Sequence, residues 1–252
     1  MTGSKRSTRV TMGCLLLLAL LTALFFQRVL LHPGHTINGM DICAAHSEYK
    51  FVQWHSFADW GCFPTWDPTI FCGKSIVGDS LPAVLNPPEW LFWIIPSPAL
   101  FGYLLWFYAT LGAWGMFLFA GKKGCEPQGA LFAAVIFALG GKMAGHVFAG
   151  HMEVLAAMWC LPWIMLAAGG ALERPSLMRS ALLGATLALV STCGSIQIMY
   201  WHFLFVGAYA FLWLVSAFSK KGIWSAVRSA LGFAAGVFSF LFFAAPWWLP
   251  II

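Results

Sequence analysis

The chain has 252 residues, of which 60% are hydrophobic and only 9% charged, and its mean hydropathy is +0.79. Soluble domains carry about 25% charged residues, so the apolar excess must face lipid, and the chain reads as an integral membrane protein rather than a soluble or disordered one. The net charge of +5 comes from basic residues scattered singly and in pairs between apolar runs, which argues against a nucleic-acid surface; the seven cysteines include no Cys-x-x-Cys pair, which argues against a zinc site or a thioredoxin-like motif.

The apolar runs are continuous and about 20 residues long, as helices crossing a bilayer require, and lack the ~10-residue alternation of a membrane barrel. Seven spans are expected, at about 12–31, 99–120, 128–141, 152–171, 177–194, 197–218 and 224–248. The fold class is therefore an all-α polytopic helical bundle, with residues 1–252 forming one transmembrane domain. The first span follows Lys5, Arg6 and Arg9. It is followed by Gln27-Arg28 instead of a small-x-small cleavage site, which makes it an uncleaved signal anchor. The third span is short and is expected to continue as a broken or tilted segment through Gly140-Gly141. The sequence ends Pro246-Trp247-Trp248-Leu249-Pro250-Ile251-Ile252 without a polar tail, so the chain reads as the N-terminal part of a longer module.

A cytoplasmic N-terminus places Lys5, Arg6, Arg9, Lys122, Lys123, Arg174, Arg179, Lys220, Lys221 and Arg228 inside. Of the 14 basic residues, only Arg28, Lys50, Lys74 and Lys142 fall outside. That division satisfies the positive-inside rule at every inner loop. Asp41, Glu48, Asp59, Asp67, Asp79, Glu89 and Glu153 lie outside, against Glu126 and Glu173 inside.

Between the first two spans, residues 32–89 form the only long polar segment, an extracytoplasmic loop of a length usually tied to function. Phe51, Trp54, Phe57 and Trp60 recur every three residues, as expected of a helix lying in the membrane interface. Beyond it, Pro64, Pro68, Gly73, Gly78, Pro82, Pro87 and Pro88 forbid a long helix and predict a compact irregular lid over a cavity. Asp41 follows the first span at the height of the membrane boundary. A carboxylate there can take a proton from an acceptor hydroxyl, or it can simply cap the helix that follows.

Gly39-Met40-Asp41 after the first span, Phe63-Pro64-Thr65-Trp66-Asp67-Pro68, Gly73 and Asn86-Pro87 resemble the YfhO family of bacterial membrane proteins, part of the GT-C class of membrane glycosyltransferases. So do His151-Met152-Glu153, Ala157-Met158-Trp159-Cys160-Leu161-Pro162-Trp163, and the closing Ala244 to Pro250. Asp67 stands where that family usually has Asn, Gly73-Lys74-Ser75 replaces its Gly-x-Pro, and family members run several hundred residues longer. The resemblance implies a GT-C-like fold in the bacterial inner membrane. It also implies inverting transfer of a sugar from a polyprenyl-phosphate donor to an extracytoplasmic acceptor, with Asp41 as general base.

Lys142, His146, His151 and Glu153 cluster between the third and fourth spans as substrate-binding candidates. Lys142 and His146 are assigned to the donor phosphate, where charge-assisted hydrogen bonds would hold it; Lys142 snorkelling to the interface is the plainer alternative. Asp67 and Asp79 are assigned to the acceptor or to a metal, and Trp66 to substrate binding. No cofactor is required, although a divalent cation on His146, His151 and Glu153, or on Asp67 and Asp79, is one option. A Cys62–Cys72 disulfide is a further expectation. The partners expected are the lipid-linked donor, membrane lipids and other membrane subunits, with no nucleic acid. The second reading is a non-enzymatic scaffolding or cofactor-holding subunit of a larger complex, with His202 as the ligand to a haem or pigment.

Overall fold

The computed structural model describes residues 2–32, 34, 37 and 39–249. It is almost wholly helical and divides into two compact units, Met1–Pro64 with Pro88–Pro162 and Thr65–Pro87 with Trp163–Ile252. Pro250, Ile251 and Ile252, at the close of the expected last span's motif, lie outside the described residues, as do Pro33, His35, Thr36 and Asn38.

In the first unit, α1 (Thr2–Phe25) is unbroken because Cys14 to Leu24 contains neither Pro nor Gly. It stops at Phe25, short of the expected residue 31: Phe26 leaves helical geometry and is buried, and α2 (Gln27–Leu31) is a separate turn. Helix α5 (Ala99–Lys122) packs on both and on α6 (Pro127–Leu139). Small residues permit the approach: a side chain at Gly102 would overlap Val29, and one at Gly112 would overlap the Trp159 ring. Some polar groups inside are matched, with the Thr22 and Thr110 hydroxyls 2.7 Å apart and the Trp114 indole N–H donating to the Leu15 carbonyl at 2.8 Å, whereas the buried Trp106 indole nitrogen has no partner among the described residues.

The expected break in the third span falls at Gly140, whose extended backbone (ψ 160°) separates α6 from α7 (Gly141–Ala149). The Trp159 indole N–H donates to the Ala138 carbonyl near that break, at 3.2 Å. Helix α8 (Met152–Glu173) follows, its N-terminal half in the first unit and its C-terminal half in the second.

In the second unit, α9 (Leu177–Ser191) lies against α11 (Ile223–Phe243), and α10 (Ile196–Lys221) also packs on α11. Gly184 meets Ser239 and Phe240, Gly236 meets Leu183, and the Ser180 hydroxyl donates to the Gly232 carbonyl at 2.7 Å. The last expected span, 224–248, ends at Phe243. Ala244 interrupts it before a short α12 (Ala245–Trp248) that carries Pro246 in its first turn.

Among the described residues, six helices are long and apolar enough to cross a membrane: residues 8–25 of α1, α5, α6 taken together with α7, α8, α10 and α11. Seven were expected, and α9 is the exception. Its 15 residues reach about 22 Å, short of a hydrocarbon core of about 30 Å, because the helix stops at Ser191 and turns through Gly194 (φ 100°). The outward faces are strongly apolar, with Phe132, Phe211, Leu212, Leu231, Phe238 and Phe242 all at least 66% exposed. Such a surface suits lipid and not water. The chain is thus an all-α, polytopic membrane protein.

Candidate functional site

The loop after α2 enters a π-helical turn, Ile42–His46, that runs into α3 (Ser47–Ala58), the helix expected from the aromatic stripe. Phe51 and Phe57 are exposed on its outer side, and Trp60, just beyond its end, is exposed as well. The inner side carries His46, Lys50 and Gln53, one turn apart in succession and all buried. Each has a partner in the first unit: the His46 Nε2 lies 2.7 Å from Glu153 Oε2, Lys50 forms an ion pair with Glu89, and Gln53 Oε1 accepts from the Trp93 indole at 3.2 Å. Glu89 lies in a 3-10 turn (Pro87–Trp90) before α4 (Leu91–Ile94). The helix is therefore amphipathic with its apolar stripe outward and its polar stripe against protein.

Asp41 sits just ahead of this turn. Its carboxylate does not cap it: no side-chain capping bond forms there. Instead Asp41 Oδ2 lies 3.3 Å from His151 Nε2, with both side chains more than one-third exposed. The other ring nitrogen of His151, Nδ1, is 2.8 Å from Nδ1 of His146. One of these two nitrogens donates and the other accepts, so Asp41, His151 and His146 form a continuous polar chain.

The local sequence explains this placement. Helix α7 ends at Gly150 in the left-handed conformation (φ 84°), with the Gly150 and His151 N–H groups both donating to the His146 carbonyl. That is a glycine-terminated helix end, and it folds His151 back over His146. The same Gly150 is approached by Gly39, where any side chain would run into the Gly150 backbone. Two glycines thus let the Asp41 segment lie on the turn between α7 and α8.

The expected residues Asp41, His146, His151 and Glu153 are accordingly brought together in one unit, with Lys142 exposed one helical turn before His146. Glu153 is held by His46 in the first turn of α8, where the helix dipole favours a carboxylate. Among the described residues, no three His, Cys, Asp or Glu side chains are grouped to hold a metal ion, so His146, His151 and Glu153 do not form the three-ligand set considered above.

Trp66, Asp67 and Asp79 belong to the second unit. Trp66–Asp67 (β1) pairs antiparallel with Lys74–Ser75 (β2), and the Trp66 ring lies over Gly73 (φ 108°), leaving no room for a side chain there. Asp67 is fully buried. Its Oδ1 accepts from the Thr69 N–H at 2.8 Å and from the Thr69 hydroxyl at 2.6 Å, while its Oδ2 has no partner among the described residues. Asp79 pairs with Lys74 and accepts from the Leu81 N–H at 3.1 Å. Both acids therefore shape turns. Cys62 and Cys72 are not joined; both are exposed thiols.

Sequence reasoning missed His46, Lys50, Gln53 and Glu89. The signal was present: a helix that exposes an aromatic stripe turns its other face toward protein, where buried polar groups need partners. Comparison with family models, curated proteins and solved structures finds no match.

Proposed function

We propose that this protein is a membrane glycosyltransferase of the GT-C class that moves a sugar from a polyprenyl-phosphate donor to an acceptor hydroxyl outside the cytoplasm. The observation that carries the reading is the half-buried Asp41–His151 pair, seated at the junction of α7 and α8 between two apolar spans. A lipid phosphate leaving group stays at the interface while the acceptor arrives from water, so a base serving both belongs where those phases meet. Asp41 takes the acceptor proton as the oxygen attacks the anomeric carbon from the face opposite the phosphate, and the configuration inverts. His151, backed by His146, holds the carboxylate in place, and Lys142 is positioned beside His146 for the departing phosphate.

The test is transfer from polyprenyl-phosphate hexoses by the reconstituted chain. Asp41→Asn lowers the rate about 10²- to 10⁴-fold, the usual contribution of a general base, and leaves membrane insertion unchanged. Full activity in that variant, or no transfer from any such donor by the folded wild type, refutes the reading.

A cofactor-holding subunit is the second reading, and it has an observation of its own. His202 in α10 is buried, and its Nδ1 has no partner among the described residues. A coloured cofactor that co-purifies with the wild type and is lost in His202→Ala would favour it; a colourless protein counts against it.

A further inference from the structure

The second unit holds a cavity of about 610 Å³ into which four cations face, Arg174, Arg179, Lys221 and Arg228, against one carboxylate, Glu173. Positive-inside topology accounts for basic residues at helix ends, but it does not require a cavity, nor cations drawn from three separate segments around one. Arg174 and Arg179 flank the start of α9, Lys221 ends α10, and Arg228 lies in the second turn of α11. Arg179 is fixed by donating to the Arg174 carbonyl at 2.7 Å. Ser176 and Ser225 add hydroxyls at the starts of α9 and α11, whose first turns contain no acid, and the buried Ser229 lines the interior.

We propose that this cavity binds the phosphate of an anionic phospholipid headgroup. Arginine forks match phosphate oxygens bidentately, and helix starts free of acids add their own positive potential. The volume exceeds what a bare phosphate needs, and a second cavity of about 250 Å³ adjoins it through Trp213 and Lys221. The neighbouring Leu177, Met178 and Trp224 are each at least 80% exposed, an apolar rim suited to acyl chains. Basic pockets between helix ends on one membrane face are where such headgroups are held. This site is separate from the Asp41 cluster and does not depend on its assignment.

The test is native mass spectrometry of the full chain released from nanodiscs that contain both phosphatidylglycerol and phosphatidylcholine. The wild type retains phosphatidylglycerol in preference. Arg174→Gln with Arg228→Gln lowers that retention about tenfold or more, because each charged hydrogen bond to phosphate is worth about that factor. Lys122→Gln with Lys123→Gln removes as much charge from a helix end outside the cavity and leaves retention unchanged. Arg174 and Arg228 are exposed, so the helices are expected to survive their replacement, as circular dichroism will report. If that pair fails to fold, Ser225→Asp places a carboxylate at the rim and carries the same expectation. Equal retention of the two lipids, or an equal loss in the Lys122 and Lys123 variant, overturns the proposal. Binding of inorganic phosphate without lipid retention overturns the lipid source.

Discussion

Gly39 and Gly150 meet backbone to backbone, so closely that a methyl group on either would overlap the main chain of the other. Gly150 also takes a left-handed conformation that ends α7. The pair does two things at once: it turns His151 back over His146, and it seats the Asp41 segment against that turn.

Alanine at these positions separates the two roles. Gly39→Ala meets only the steric overlap, about 1–3 kcal/mol. Gly150→Ala meets a milder overlap and costs about 1–2 kcal/mol for a side chain in the left-handed region. Thermal unfolding in detergent, followed by intrinsic fluorescence, is expected to place both variants below wild type. An unchanged midpoint in Gly39→Ala would mean that the two backbones do not touch.

The Lys50–Glu89 pair is buried on both sides, with each side chain 4% exposed. Removing one partner strands a charge in a low-dielectric site, so Glu89→Leu or Lys50→Met alone is expected to cost about 3–5 kcal/mol. Replacing both with apolar residues of similar volume is expected to restore most of that stability. Denaturant titration of the two single variants and the double variant reads the difference. If the losses are additive, the residues do not act as a pair.

Much of the fold was legible because lipid leaves a plain mark on a sequence. Long apolar runs gave α5, α8 and α10 nearly to their ends, and the glycine pair at 140–141 marked the break between α6 and α7. Other features depended on tertiary contacts. Helix α9 reads as a span by composition, yet it stops at Ser191, where a turn closes through Gly194. Lys50 and Glu89 read as loop charges because their pairing links positions far apart in sequence. Of the site, Asp41, His146, His151 and Glu153 were legible as polar residues at helix ends, whereas His46 was not, since its burial follows from which face of the π-helical turn meets α8.

Glu153 and Asp41 are expected to respond differently to the loss of charge. Glu153 Oε2 is already engaged by His46, 4% exposed, at 2.7 Å, so on the proposed reading Glu153 positions its neighbours and Asp41 takes the proton. Glu153→Gln retains an oxygen acceptor for His46 and is expected to keep most of the transfer activity. Glu153→Leu leaves the buried imidazole unmatched and costs about 1–3 kcal/mol in stability. A rate loss in Glu153→Gln as deep as that in Asp41→Asn, at unchanged stability, would move the base from Asp41 to Glu153.

Three exposed cysteines test the orientation without adding any new probe site. Cys62 and Cys72 lie in the acidic segment between α2 and α5, whereas Cys125 follows Lys122 and Lys123 in the basic turn between α5 and α6. The positive-inside rule puts that turn in the cytoplasm and the acidic segment outside. In variants that keep one of these cysteines, with the other exposed ones changed to Ala, a membrane-impermeant maleimide is expected to label Cys62 and Cys72 on intact cells. Cys125 should react only after permeabilisation. A further variant that keeps both Cys62 and Cys72, labelled at both without reductant, would show that no disulfide joins them. The converse pattern, with Cys125 labelled first, would reverse the orientation. Asp41 lies in the same interhelical segment as Cys62, so it would then face the cytoplasm, away from an extracytoplasmic acceptor. The transferase reading would fail on topology alone, before any assay of the carboxylate.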